Sequence, residues 1–180
     1  MTNKSLWGKI PQVMKFGLAI IVILFMVGEA YPMQMAASAR VGVTFPHSSL
    51  YDPGMSANIG INYYVTPSIT LEGVLGYHML VGKSFGIPNL DVWQLSLNGR
   101  VYFFTAGPLK PYVNGGFGLY FQKERIQSAT SHFGFNVGAG LDYYLNPSLA
   151  LELAYNFHCI QPGDWSLKFS ALQAGLRFHF

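Results

Sequence analysis

The 180-residue chain is only 11% charged but 16% aromatic and carries 20 glycines. Its length fits one domain. The formal net charge of +3 leans on lysines near the N-terminus, so no basic tract points to nucleic acid. The one cysteine, Cys159, excludes an intrachain disulfide framework, and nothing around it has metal-ligand spacing.

Lys4, Lys9 and Lys15 precede an apolar run from Phe16 to Gly28 that is followed by small residues. This is the charged, apolar, small-residue order of a cleavable signal peptide. The run is shorter than the roughly 20 apolar residues that span a bilayer as a helix. Cleavage fits after Ala30 or after Ala39. The second is preferred because Val41 already starts an alternating segment, giving a signal peptide at 1–39 and one domain at 40–180. That cut removes three of the 11 Lys+Arg and one of the 8 Asp+Glu, leaving a net charge of +1. No cysteine lies near either site, which excludes a lipid-modified N-terminus.

Alternating apolar and polar residues then recur at 40–46, 55–65, 69–80, 91–104, 111–122, 131–145, 149–159 and 167–180. Side chains alternate between the two faces of a strand, so each segment has one apolar and one polar face. Eight is an even number, as a closed antiparallel barrel in the outer membrane requires, and most segments reach the 9–11 residues of a tilted membrane strand. Thr66-Pro67-Ser68, Thr105–Lys110 and Asn146-Pro147-Ser148 are short connections. His47–Gly54, Val81–Leu90, Lys123–Thr130 and Ile160–Ser166 are longer and more polar. Short periplasmic turns alternating with longer external loops give this pattern.

Residues 62–72 echo residues 141–152, each carrying Tyr-Tyr-x-x-Pro-Ser-x-x-Leu-Glu. Tyr63, Tyr143 and Phe103 gather at the short-turn end as an interfacial aromatic girdle. The final strand reads Leu172, Ala174, Leu176, Phe178 and Phe180 on one face and Gln173, Gly175, Arg177 and His179 on the other. An edge-most aromatic suits a strand whose outer face meets lipid.

Alternation alone does not say which face points outward. A soluble up-and-down carrier with its apolar face inward is the rival. A solvated exterior needs many Lys and Glu. The polar face here is mostly Gly and Asn: Gly60, Asn62, Gly76, Asn98, Asn114, Gly118, Asn136, Gly138, Gly140 and Asn156. Small, uncharged residues suit a narrow lumen. The apolar face is therefore assigned to lipid.

The Tyr-Tyr-x-x-Pro-Ser repeat, Pro111-Tyr-Val-Asn-Gly-Gly-Phe-Gly118 and the terminal Gly175, Phe178 and Phe180 together resemble the small eight-stranded outer-membrane β-barrels, which include the OmpA transmembrane domain and opacity-type proteins. The resemblance covers essentially all of 40–180. It implies an all-β, eight-stranded antiparallel up-and-down transmembrane β-barrel in the cell outer membrane, reached through the periplasm. It also implies that Gly175, Phe178 and Phe180 serve as the signal read by the outer-membrane β-barrel assembly machinery. Other expected partners are outer-membrane lipid and lipopolysaccharide; no nucleic acid and no cofactor are expected, and the barrel is expected to be a monomer.

Five charged residues fall on the polar face: Glu72, Arg100, Asp142, Glu152 and Arg177. By strand order, Glu72 neighbours Arg100, and Glu152 neighbours both Asp142 and Arg177. Charges away from water need partners, so an ion-pair cluster inside the lumen is expected. It would fill a space that eight strands leave just wide enough for side chains. A wide diffusion pore needs about 16–18 strands and is excluded.

The leading expectation is thus a non-enzymatic barrel serving envelope structure, surface interaction or passage of very small solutes. Alternatives are a lipid A acyl hydrolase or transferase and a hydrophobic-solute channel of the OmpW type. The first would need a hydroxyl beside a His oriented by a carboxylate. His47, Ser48, Ser49 and Asp52 are the nearest set, and the neighbouring Pro53-Gly54 reads as a solvated turn. His78, His132 and His158 lie toward the external end without short metal-ligand spacing, and rim hydrogen bonding is assigned to them.

Overall fold

The computed structural model describes residues 35–124, 130–161 and 166–180. Nine strands lie among them: β1 (Met35–Pro46), β2 (Tyr51–Asp52), β3 (Gly54–Thr66), β4 (Ile69–Gly82), β5 (Leu90–Tyr102), β6 (Leu109–Glu124), β7 (Thr130–Asn146), β8 (Leu149–Ile160) and β9 (Leu167–His179). Every long strand pairs antiparallel with its chain neighbours. The β1–β9 pairing closes the sheet. The result is a closed eight-stranded up-and-down barrel with no free edge. The two-residue β2 pairs with Val81 and Gly82 of β4 inside the first long connection, which the sequence presents only as a loop.

The period-2 pattern decides the faces. Ile59, Leu95, Phe133 and Leu153 point outward and are 50–59% exposed, whereas Asn62, Glu72, Arg100 and Arg177 point inward and are fully buried. The interior of this protein is its lumen, and it is polar through most of its depth. Some inward glycines make room for it. A Cβ on Gly140 would collide with the Tyr112 ring, and one on Gly175 would collide with the Ala39 carbonyl and the Arg40 side chain.

Both Pro-Ser turns carry the same irregularity. The register slips between Tyr64 and Thr66 and between Tyr144 and Asn146. Thr66 Oγ1 accepts from the Ser68 and Ile69 amides at 3.3 and 3.0 Å, and Asn146 Oδ1 accepts from the Ser148 amide at 2.9 Å. A side-chain oxygen thus takes over donors where proline interrupts the ladder.

Seven barrel strands, β3–β9, keep their expected bounds to within two residues. Phe103 and Phe104, expected as the end of the fourth segment, fall in the connection after β5 and are exposed. The main correction is β1, expected at 40–46 and found to begin at Met35. Met35–Ala39 pair with Ile59–Tyr63 on one side, and Ala36–Ala39 with Leu176–His179 on the other. A cut after Ala39 would strip five residues from a strand held on both flanks, so the boundary at 39/40 falls inside β1. The signal segment and the site after Ala30 lie outside the described residues.

Candidate functional site

The structure brings the five inward charges expected from the sequence into one cluster and adds Arg40 of β1. Glu152 Oε1 meets Arg40 at 3.1 Å and Arg100 and Arg177 at 2.9 Å, and accepts from the Tyr112 hydroxyl at 2.7 Å. Glu72 bridges Arg40 and Arg100, both at 3.0 Å. Asp142 lies 3.7 Å from Arg100 and 3.5 Å from Arg177, and accepts from the Tyr102 hydroxyl at 2.6 Å. The Arg100 guanidinium also sits 3.9 Å from the centre of the Tyr112 ring. Three guanidinium groups face three carboxylates, so the cluster is neutral as a whole. Neutrality and shared hydrogen bonds are what make such a buried set tolerable.

The positions follow from pairing. Glu72 sits opposite Asn98, two residues from Arg100 on the same inward phase, and Glu152 sits opposite Gly175, two residues from Arg177. Arg40 also pairs opposite Gly175. A glycine between Arg40 and Glu152 lets both long side chains turn into the lumen. Sequence reading missed Arg40 because it stands beside the favoured cleavage site, in a stretch of small residues that blurs the start of β1. Tyr102 and Tyr112 were missed too, although both fall on the inward phase.

Toward the short-turn end, Arg177 reaches Asn62, Tyr102 and Tyr64. The Tyr64 and Tyr144 hydroxyls converge on Nε2 of His179 at 2.9 and 3.2 Å. Lys110 lies 4.2 Å from the centre of the Tyr144 ring. These rings cover the ion pairs from below.

The opposite half of the lumen departs from expectation. His78 and His158 do not line a wet rim: both are buried, with ring centres 5.0 Å apart. His78 contacts Gln94 through Nε2 at 3.0 Å and Thr44 through Nδ1 at 3.4 Å, and His158 Nδ1 meets the Tyr120 hydroxyl at 3.0 Å. Phe169 stacks on His158 with centres 4.7 Å apart. Leu80, Leu90, Val92, Tyr120, Ile160 and Phe169 form a buried apolar cluster at this end. Beyond the histidines, β4, β5, β6, β8 and β9 thus turn hydrocarbon into the lumen beneath the long connections. His132 is half-buried near the start of β7 and contacts Thr130 at 3.1 Å.

The loop set does not assemble as a nucleophile, base and carboxylate. His47 Nε2 lies 2.9 Å from Ser170 of β9, not on Ser48 or Ser49, and its ring packs edge-on against Phe157. Ser48 Oγ accepts from the Leu50 amide, and Asp52 belongs to β2. Ser170 is buried and also accepts from the Tyr155 hydroxyl at 2.8 Å. The contact fastens the first loop to the barrel wall.

On the outer surface, Tyr143 and Phe103 are exposed near the short turns, and Tyr63 is half-buried beside them. Phe178 and Phe180 stack on the outside of the wall with centres 6.4 Å apart and are 55% and 63% exposed. Gly175 points inward against Arg40.

Among solved structures, the chain is similar to Neisserial surface protein A, with a TM-score of 0.68 and 20% identity over 81% of this chain and 97% of that one. OprG of Pseudomonas aeruginosa gives a TM-score of 0.61 and 14% identity over 82% and 96% of the two chains. The N-terminal β-barrel domain of Pseudomonas aeruginosa OprF gives 0.57 and 20% identity over 83% and 100%. At these identities the likeness is one of fold. No protein in the curated set matches the sequence. The family model described as outer membrane protein beta-barrel domain matches residues 20–180. A closed barrel with an apolar exterior and a charged, filled interior, matched over nearly its whole length by that model, belongs to the outer membrane protein beta-barrel domain family and resides in the outer membrane.

Proposed function

We propose that this barrel is a closed, non-catalytic, monomeric scaffold of the outer membrane, which presents its long connections outward and passes no ions at rest. The observation that carries the reading is the double obstruction of the lumen. A neutral ion-pair tier fills one half, and the apolar cluster around Phe169 seals the other. An ion entering from the long-loop end meets hydrocarbon before any group that could replace its water. A dry constriction of that kind opposes conduction by itself.

A hydrolase acting on lipid A is disfavoured by the state of its best serine. The Ser170 hydroxyl is buried beneath His47 and Tyr155. Its surroundings also lie within the β8–β9 ladder, where backbone N–H groups are spent on pairing and not free to hold an oxyanion. The partners of the scaffold are outer-membrane lipid and lipopolysaccharide along the exposed wall, and the barrel-assembly machinery, which reads Gly175, Phe178 and Phe180. Planar-bilayer recording of the refolded barrel tests the closed state. Silence is expected. Discrete openings of the wild-type barrel would transfer the reading to a channel.

A further inference from the structure

Between the histidines and the ion pairs the lumen holds a small chamber. It offers about 10 Å³ to the centre of a water-sized sphere and is lined by Arg40, Asn58, Asn114, Asn156 and His158 among others. Three lining side chains carry buried polar atoms without a partner: Asn58 Oδ1, Asn114 Oδ1 and His158 Nε2. A fourth is the Nε of Arg40. The other ends of these groups are committed. Asn58 donates to Gln173 at 2.9 Å, Asn114 donates to Asn156 at 2.7 Å, and His158 Nδ1 meets Tyr120. The two amide carbonyls are therefore held as acceptors by the bonds their own NH2 groups make.

We propose that this chamber is a binding site for one water molecule, which donates to Asn58 and Asn114 and accepts from Nε2–H of His158. The chemistry selects water over the alternatives. Two fixed acceptors and at least one donor surround the space, and a buried water typically makes about three hydrogen bonds. The volume is about that of one water-sized sphere. A metal or alkali cation would be attracted by the amide oxygens and by Glu72, which also lines the space, but Glu72 is already held by Arg40 and Arg100, and the cation would face the Arg40 guanidinium and the His158 N–H. An anion would find the N–H groups but would face two carbonyls. In this proposal the Tyr120 hydroxyl is the donor to Nδ1, which puts the ring proton of His158 on Nε2. The bound water then ties His158 to Asn58 and Asn114, in the asparagine layer between the histidines and the ion pairs.

The test uses the refolded barrel in detergent micelles with 15N-labelled histidine, the His158 signal being assigned by its loss in His158→Gln. A His158 ring in the Nε2–H form with a cross-relaxation peak to a slowly exchanging water is expected. In Asn114→Leu, which removes one acceptor and fills the space, that peak should vanish while the His78 signal stays. An Nδ1–H ring, or a His158 proton with no water peak, would overturn the proposal even if Asn114→Leu failed to fold. A saturable shift of the His158 signal with added sodium or potassium chloride would overturn it as well, because it would mark a cation site. The proposal does not depend on whether the barrel conducts, so openings in a bilayer would leave its result intact.

Discussion

Glu152 receives three guanidinium groups and a tyrosine hydroxyl through one oxygen, so its charge organises the lower lumen. Glu152→Gln would leave three arginines facing only Glu72 and Asp142, an uncompensated buried positive charge. Breaking a buried pair in this way costs about 3–5 kcal/mol. The variant should unfold at lower denaturant in bilayers or detergent. Glu152→Gln combined with Arg177→Met restores the charge balance and should regain part of the loss, and a double-mutant cycle measures that coupling. A cycle without coupling would show that Arg177 is held by Asp142 and the tyrosines alone. The charged residues of this site were legible in the sequence because a charge on the inward phase of a strand has no water to go to. Arg40 obeys the same rule. It was hidden because Ala36, Ala37, Ser38 and Ala39 give no contrast between faces, and such a string also looks like a cleavage site.

Two elements carry consequences for biogenesis. β1 begins at Met35 and is paired on both sides, so cleavage of the expected signal peptide would leave the strand whole only upstream of it. Of the two sites with suitable small residues, only the one after Ala30 leaves the strand whole. N-terminal sequencing of the outer-membrane form should start at Tyr31; a start at Arg40 would mean that the barrel closes without the first five residues of β1. β9 exposes Phe178 and Phe180 on the outside, where they add little to the packing of the lumen. Replacing both by alanine should therefore lower the amount assembled in cells while a protein refolded in vitro stays close to wild type in stability. Equal losses in both measurements would assign the two rings a structural role only. Strand existence was readable throughout because alternation is strong, whereas the apolar tier was not. Near the long loops, segments such as Met79-Leu80-Val81 are apolar on both phases, and a local pattern cannot say that half of them plug a lumen.

At the scale of the molecule, the even strand count and the alternation of short and long connections already implied closure, and the β1–β9 ladder provides it. The repeated Tyr-Tyr-x-x-Pro-Ser hairpins now gain a spatial meaning. Tyr64 and Tyr144, Glu72 and Glu152, His78 and His158, and Leu80 and Ile160 are each separated by 80 residues. Each pair meets or shares a partner inside the barrel: His179 takes both tyrosines, Arg40 and Arg100 take both glutamates, the histidines stand ring to ring, and Leu80 and Ile160 share one apolar cluster. The β3–β4 and β7–β8 hairpins thus set corresponding residues toward one another at successive levels of the lumen. Arg40, Arg100 and Arg177, which keep no such spacing, supply the positive charge that lets two glutamates share one level of the lumen.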